Sequence, residues 1–272
     1  MKNFNTSLRE MFASLYRNRE LILVLIKREI GTRYRGSVLG MIWSFLYPII
    51  MLAIYTFVFS IVFKARWNTG SDSKTEFALV LFAGLMVFNL FSDCINRAST
   101  LILTNANYVK KIVFPLEILP WVTLGAALFQ AFVSFLVWLA FYLVFFGTPN
   151  PTIFFLPLII LPILFITMGL NWFIASLGVF LRDVSQLVAI ITTVLMFLSP
   201  IFYPLSALPV NYRYLLQFNP LTPAIEGVRS VLFWGNIPNI KLYGIYLLVS
   251  LAFSWIGFIW FQKTRKGFAD VL

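Results

Sequence analysis

The sequence predicts an all-α membrane protein with six transmembrane helices, an amino-terminal amphipathic helix and two short re-entrant helices between the last two spans. Of its 272 residues, 60% are hydrophobic and only 11% are charged, and the mean hydropathy is +0.88. Soluble domains carry about 25% charged residues, because their surface has to meet water. The apolar excess of this chain therefore has to face lipid.

The segment before the first span, residues 1–36, predicts a helix lying in the plane of the lipid headgroups. An apolar block from Leu21 to Ile26 stands beside the charged residues 27–29, as in interfacial helices. We expect Gly31 to end this helix. Four apolar residues further upstream recur at the spacing of one helical face: Leu8, Met11, Phe12 and Leu15.

The six spans are predicted from apolar stretches that reach or approach the roughly 20 residues needed to cross a bilayer. The stretch that begins at Phe77 is short. We expect it to extend to Ala98, because Asp93 and Arg97 lie four residues apart and pair on one helical face. The predicted spans cover residues 38–63, 77–98, 115–146, 153–181, 185–203 and 242–261.

Residues 204–240 connect the last two spans and contain five prolines among apolar residues. The segment is too broken to span and too apolar for a solvated loop. Two short helices dipping into the outer leaflet, Leu208 to Phe218 and Ala224 to Phe233, fit this pattern. Such backbone is tolerated at membrane depth only where protein or a water-filled cavity covers it.

The basic residues predict that both chain termini are cytoplasmic. Lys and Arg collect on the cytoplasmic side of membrane proteins, and this also accounts for the net charge of +11 without a nucleic-acid partner. With the amino terminus inside, six of the 21 basic residues fall outside: Lys64, Arg66, Lys74, Arg213, Arg229 and Lys241.

Several classes of site are absent from the sequence. The chain has no histidine and a single cysteine, Cys94, which argues against a disulfide framework and against a metal centre. No acidic residue falls in the middle of a predicted span, which argues against an ion-coupled carrier. The phosphate-binding pattern G-x-x-x-x-G-K-[ST] is missing. We therefore predict no catalytic residue, metal or cofactor, and expect any ATP to bind another polypeptide.

Two side-chain patterns leave alternatives open. Aromatic residues and one methionine recur every fourth position in the first span, either as lipid-facing and packing residues or as a lining on which sugar rings pack. The basic residues Lys27, Arg28, Arg33 and Arg35 either fix topology and contact anionic lipid or bind a diphosphate headgroup, with Arg33 and Arg35 as first candidates. The row in the first span is Trp43, Tyr47, Met51, Tyr55, Phe59 and Phe63.

Four runs of residues, in order along the chain, resemble the ABC-2 type polysaccharide export permeases. The first resembles the start of that family, the next two its inner turn and fifth span, and the last its outer re-entrant segment. The resemblance covers nearly the whole chain as a single ABC-2 transmembrane domain, residues 1–272. The runs are 27–40 (KREIGTRYRGSVLG, followed by Trp43, Tyr47 and Pro48), 180–184 (FLRDV), 198–204 (LSPIFYP) and 219–223 (NPLTP).

The resemblance implies an exporter of O-antigen, capsule or teichoic acid in the bacterial inner membrane. It implies two copies of this chain with two copies of a separate ATPase subunit, and a polysaccharide carried on polyprenyl diphosphate. The segment 204–240 would act as an outer gate. The implied ATPase-contacting residues are Arg19, Leu21, Leu25, Lys27, Arg28, Asn105, Asn107 and Lys110. The implied channel residues are Trp43, Tyr47, Tyr55, Phe59, Phe63, Phe197, Phe202 and Tyr203.

O-antigen is the leading substrate, with capsular polysaccharide and teichoic acid as alternatives within the family. A membrane enzyme acting on polyprenyl-linked sugars is a different alternative. Such an enzyme needs clustered acids to hold a divalent metal and a diphosphate, and the inner segments of this sequence lack them. A carrier or channel working without ATP is a third alternative.

Overall fold

The structure is a computed structural model and describes residues 4–58, 67, 74–109 and 114–272. Every regular element in these ranges is helical, which confirms the all-α prediction. The α-helices of the described chain are α1 (Leu8–Arg17), α2 (Arg19–Tyr34), α3 (Trp43–Tyr55), α4 (Lys74–Thr104), α5 (Ala106–Val109), α6 (Leu119–Phe146), α7 (Leu156–Phe180), α8 (Val184–Leu198), α9 (Val210–Gln217), α10 (Leu221–Arg229), α11 (Ile240–Thr264) and α12 (Phe268–Val271).

Five helical segments of the described chain are long and apolar enough to cross a membrane, and α8 is a shorter apolar helix. At 15 residues, α8 is about 22 Å long, somewhat less than a hydrocarbon core of about 30 Å. Five long helices and one short one agree with the predicted six-span architecture. The long segments are Gly40–Val58, Thr75–Thr104, Leu116–Phe146, Pro151–Phe180 and Ile240–Val271.

Helix α4 is the centre of the bundle. In its most apolar stretch 83% of the residues are buried, against 17–39% in the other four long segments. Every position from Phe77 to Phe88 is buried, because the sequence there is apolar on all sides of the helix. The helix extends beyond Ala98 to Thr104, and the predicted pair forms, with Arg97 Nε 2.9 Å from Asp93 Oδ1.

Glycines allow the backbones of α4, α7 and α11 to approach closely. A Cβ atom added to Gly257 of α11 would lie 2.2 Å from the carbonyl oxygen of Gly169 in α7. One added to Gly178 would lie 1.9 Å from the carbonyl oxygen of Ser99 in α4. Small residues at such crossings are the usual means by which membrane helices pack. The three helices therefore form a tightly packed unit.

The amino-terminal segment forms two helices that meet at Asn18, not one. The Ser7 hydroxyl caps α1 by accepting a hydrogen bond from the backbone N–H of Glu10 at 3.1 Å. Helix α2 then continues through Gly31 to Tyr34, so the prediction that Gly31 ends the helix is wrong. The first left-handed glycine is Gly36, with φ of 87°. A tertiary ion pair from Arg33 to α4 outweighs the weak helix propensity of Gly31.

A buried carboxylate ties both ends of the chain to the start of α6. Glu117 accepts from Arg265 at 2.5 Å and from the Ser14 hydroxyl at 3.3 Å. The Arg265 guanidinium also lies 4.0 Å from the centre of the Phe4 ring. The amino-terminal helix α1 and the carboxyl end of α11 therefore lie at the same end of the bundle.

The connection between the last two spans contains the two short helices that the sequence predicts, displaced by a few residues. They are α9 and α10, and α10 passes into a π-helical turn, Ser230–Trp234, that Gly235 ends with φ of 65°. This turn docks on the loop before α7, since Asn150 Nδ2 donates to the carbonyl of Phe233 at 3.2 Å and the Thr152 hydroxyl donates to that of Val231 at 2.7 Å.

We expect Gly257→Ala to destabilise the protein, because α7 and α11 have to separate to admit the methyl group. Overpacking of this kind costs about 1–3 kcal/mol. Gly244→Ala in the same helix is the matched control, since nothing lies within 4 Å of its added Cβ. Thermal unfolding in detergent should give a lower midpoint for Gly257→Ala alone. Equal midpoints for the two variants would contradict the packing described here.

Candidate functional site

A cavity of about 510 Å³ opens between the end of α2 and helices α3, α4 and α6. Its volume lies within the range of about 300–1,000 Å³ found for ligand sites. The lining combines aromatic rings with amides, hydroxyls and charges, a mixture unusual at the depth of a membrane span. The polar and charged lining residues are Arg33, Asn89, Ser92, Asp93, Asn96, Arg97, Gln130 and Ser134.

A network of four charged side chains borders this cavity. Asp93 of α4 accepts from Arg33 NH2 of α2 at 2.8 Å through one oxygen, and from Arg97 through the other. Arg97 NH1 also bonds to Glu29 Oε1 of α2. The network joins α2 to α4, so a displacement of α2 has to move α4 or break these pairs.

The network is electrically balanced, with two guanidiniums and two carboxylates. This bears on the prediction that Arg33 or Arg35 binds a headgroup. Arg33 lines the cavity, but one of its terminal nitrogens is held by Asp93, while its Nε is buried without a hydrogen-bond partner in the described structure. Arg35 is exposed just after α2 and does not line the cavity. The geometry thus brings Arg33 to the site and leaves Arg35 outside it.

The aromatic row of the first span lies partly along the same cavity. Trp43, Tyr47 and Tyr55 all line it, together with Met51 from the same row. Other exposed apolar side chains of α3, such as Phe45 and Ile50, do not line the cavity. Of the two interpretations of the row, the position of these members therefore favours a lining. Phe59 and Phe63 lie outside the described residues.

The other predicted channel residues lie elsewhere. Phe197, at the end of α8, packs on Phe202 with ring centres 5.9 Å apart, and Tyr203 donates to the Phe197 carbonyl at 3.0 Å. None of the three lines the cavity. They form a separate aromatic group where α8 breaks at Ser199 and Pro200.

Helix α2 has one buried face and one exposed face. Ile22 and Leu25 pack against Ile118 and Val122 at the start of α6. Leu25 was expected on the ATPase-contacting surface, but it is only 8% exposed and faces the bundle. Residues 21–26 are all apolar, so the sequence does not show which face of α2 packs against the bundle.

The exposed face of α2 contacts the segment that follows α4. Arg28 NH1 donates to the Tyr108 hydroxyl at 2.7 Å, next to the exposed Asn107. Asn105 is half-buried and caps α4 through the Leu101 carbonyl at 2.9 Å. Lys110 lies outside the described residues. The α2 surface, as we name it, consists of Arg19, Leu21, Leu23, Val24, Lys27 and Arg28, all exposed.

Sequence reasoning missed the most deeply buried charge in the described structure. The sequence places Arg229 among the outer basic residues, but its side chain is fully buried. Its guanidinium donates to the carbonyls of Val80, Pro200 and Ile201 at 3.0, 2.5 and 2.8 Å. It also pairs with Glu226 at 3.0 Å. Arg229 therefore joins α10 to α4 and to the break after α8.

The environment of Arg229 keeps it charged. The guanidinium lies 4.3 Å from the centre of the Trp67 ring. Burial lowers the pKa of Arg229 to about 10, while Glu226 opposes that shift, so the group is protonated at neutral pH. The only signal in the sequence was the spacing of Glu226 and Arg229, three residues apart in an otherwise apolar segment.

Residues 20–233 match the sequence model of a family described as ABC-2 type transporter. The match covers well over half of the chain and runs from α2 to the π-helical turn after α10. The chain belongs to the ABC-2 type transporter family. In this ABC-2 transporter, the cavity, the four-charge network and Arg229 all fall inside the matched region.

Relatives of this ABC-2 transporter cover nearly its full length. It is 25% identical over 258 residues to the O-antigen export system permease protein RfbA of Myxococcus xanthus, covering 94% of this chain and 96% of that protein. It is 24% identical over 254 residues to a protein of the same name from Klebsiella pneumoniae, and this match covers 93% of this chain and 95% of that protein. It is also 27% identical over 241 residues to the polysialic acid transport protein KpsM of Escherichia coli, and this match covers 84% of this chain and 88% of that protein.

We expect Arg229→Gln to destabilise the transporter by about 3–5 kcal/mol, because Glu226 and several buried carbonyls lose their partner. Arg182→Gln serves as the control. Arg182 is exposed in the turn between α7 and α8, and its replacement should change stability by no more than about 0.5 kcal/mol. Thermal or denaturant unfolding in detergent measures both. Similar stabilities of the two variants would show that Arg229 does not join α10 to the bundle.

Proposed function

We propose that this chain is the membrane-spanning permease subunit of an ATP-driven exporter of lipid-linked polysaccharide. The observation that carries the proposal is the similarity, over nearly the full length of both proteins, to permeases named for O-antigen export. The cavity supports it independently, since aromatic faces beside amides and hydroxyls suit the C–H faces and hydroxyl groups of sugars. The chain contributes a path and a conformational response rather than a chemical step.

The leading substrate is an O-antigen polysaccharide carried on polyprenyl diphosphate. Capsular polysaccharide is the second candidate, and the similarity to the polysialic acid transport protein favours it. Both substrates are polymers that have to move past the aromatic side chains of the path without tight binding of any one unit. A lining of aromatic rings with few strong contacts meets this requirement.

ATP hydrolysis takes place on a separate subunit that binds the α2 surface. The exposed apolar residues Leu21, Leu23 and Val24, next to Lys27 and Arg28, give that surface the mixture expected at a protein contact. Motion of α2 then reaches the cavity through the pairs of Arg33 with Asp93 and of Arg97 with Glu29. Arg229 holds the outer segment against the end of α8, as an outer gate requires.

Two copies of the chain enclose the translocation path between α3 and α8 of each. The support is the exposed apolar face of α8, which includes Leu187, Ile190 and Val194, together with the exposed aromatics of α3. The complex lies in the bacterial inner membrane with both termini cytoplasmic. The excess of basic residues around the termini favours that orientation, and the contact of Arg265 with Phe4 agrees with two termini on one side.

Deletion of the gene in its native host tests the proposed function. We expect the lipid-linked polysaccharide to be made but retained inside the cell, and lost from the cell surface. Complementation with the intact gene should restore surface polysaccharide. An unchanged amount of every surface polysaccharide in the deletion strain would overturn the proposal.

Changing Leu23 and Val24 to serine should weaken binding of the ATPase subunit, because both side chains are exposed and their loss leaves the packing of α2 on α6 intact. Val271→Ser, which changes another exposed apolar residue at the same end of the bundle, is the control. Copurification of the ATPase subunit with each tagged variant is the measurement. Full recovery with the double variant would exclude the α2 surface as the contact.

A further inference from the structure

Asn89 lies midway along α4 and is exposed, although both of its neighbours, Phe88 and Leu90, are buried. Its side chain lines the cavity between α3, α4 and α6. Every residue from Phe77 to Phe88 is buried in the bundle, so Asn89 interrupts the most deeply buried of the long helices in the described chain. Residue 89 is the midpoint of α4, and lies one helical turn before Asp93 of the charge network.

An amide within an apolar helix bundle is costly unless it forms hydrogen bonds. Asn89, Ser134 and Tyr47 line the same cavity. Within the described structure, none of their side chains has a hydrogen-bond partner in the protein. Gln130 shows the contrast. Its Nε2 donates to the Ser44 carbonyl at 3.1 Å, and its Oε1 accepts from the Tyr34 hydroxyl at 3.0 Å. The Gln130 amide is thus occupied by bonds within the protein, whereas Asn89, Ser134 and Tyr47 line the cavity without such bonds.

The charges around the cavity decide between an anionic and a neutral ligand. Arg33 and Arg97 are the cationic lining residues of the described chain, and Asp93 and Glu29 pair with them. A phosphate would have to compete with both carboxylates for these guanidiniums. A neutral ligand leaves the pairs intact and still finds donors, acceptors and the aromatic faces of Trp43 and Tyr47.

We propose that Asn89, Ser134 and Tyr47 form a binding subsite for an uncharged polyhydroxyl segment, a short run of neutral sugar units, within a single protomer. The proposal rests on the proposed function and specifies the part of the substrate that this cavity holds. Asn89 supplies a donor and an acceptor at mid-span, and the aromatic rings supply flat apolar contact. The diphosphate end of a lipid-linked polymer binds elsewhere.

Thiol labelling tests the subsite without any measurement of export. The native chain has one cysteine, Cys94, which is fully buried near Asn89 in the same helix. The wild-type protein is therefore the unreactive control for an N89C variant. We expect a small hydrophilic thiosulfonate reagent to label N89C and not the wild type in detergent. Maltoheptaose should slow the labelling of N89C, whereas inorganic pyrophosphate at the same concentration should not.

Two results would overturn the subsite. Labelling of N89C that maltoheptaose leaves unchanged would show that no neutral sugar segment covers Asn89. Slowing by pyrophosphate that equals or exceeds the effect of maltoheptaose would show an anion site instead. Neither result bears on whether the chain exports polysaccharide, because the purified protein alone is labelled.

Substitutions that keep or remove the hydrogen-bonding group give a second test. We expect Asn89→Leu to weaken maltoheptaose binding by about two- to tenfold, the effect of one or two net hydrogen bonds. Asn89→Ser, which retains a donor and an acceptor, should recover part of it, and both variants should unfold at a midpoint no lower than wild type. Equal binding by the leucine and serine variants would contradict a hydrogen-bonding role for Asn89. Loss of surface polysaccharide in the deletion strain tests the proposed function separately.

Discussion

The constraint that shapes this molecule is that charged and polar groups within an apolar bundle have to be paired by the protein itself, because lipid offers them nothing. Three groups of side chains meet it. Glu29, Arg33, Asp93 and Arg97 join α2 to the central helix α4. Glu117 joins both ends of the chain through Ser14 and Arg265. Arg229 joins α10 to α4 and to the end of α8. Each group connects elements far apart in the sequence, so the polar side chains determine which apolar helices lie together.

These connections divide the described chain into a tightly packed unit and more exposed elements. The backbones of α4, α7 and α11 meet at glycines, which leaves no room for sliding without loss of contact. Helices α3 and α8 instead present many exposed apolar side chains. In the proposed dimer, the packed unit would transmit force and the exposed helices would line the path with the second copy. The charge network lies where α4 meets α2, and the proposed sugar subsite is next to it.

Much of the fold could be predicted from the sequence, because lipid imposes a simple rule on composition and length. The long apolar segments, the two short helices near the carboxyl end and the pairing of Asp93 with Arg97 all follow from local patterns. What could not be predicted depends on which side of a helix meets the bundle. Leu25 belongs to an apolar run with no preferred face, Gly31 is held in a helix by a distant ion pair, and Arg229 is buried by contacts to three other segments. The position of Asn89 in the cavity likewise depends on the packing of α3 and α6 against α4, which no local pattern determines.

Transport in a purified system tests the central claim most directly. The chain would be reconstituted in liposomes with the ABC ATPase subunit that copurifies with it, with lipid-linked polysaccharide in the membrane, and the appearance of the polymer on the opposite side would be followed after ATP is added. An ATPase subunit unable to hydrolyse ATP is the control. The account predicts ATP-dependent translocation that requires this chain and stops with the inactive ATPase. ATP hydrolysis by the assembled complex without movement of any polysaccharide, O-antigen or capsular, would contradict it.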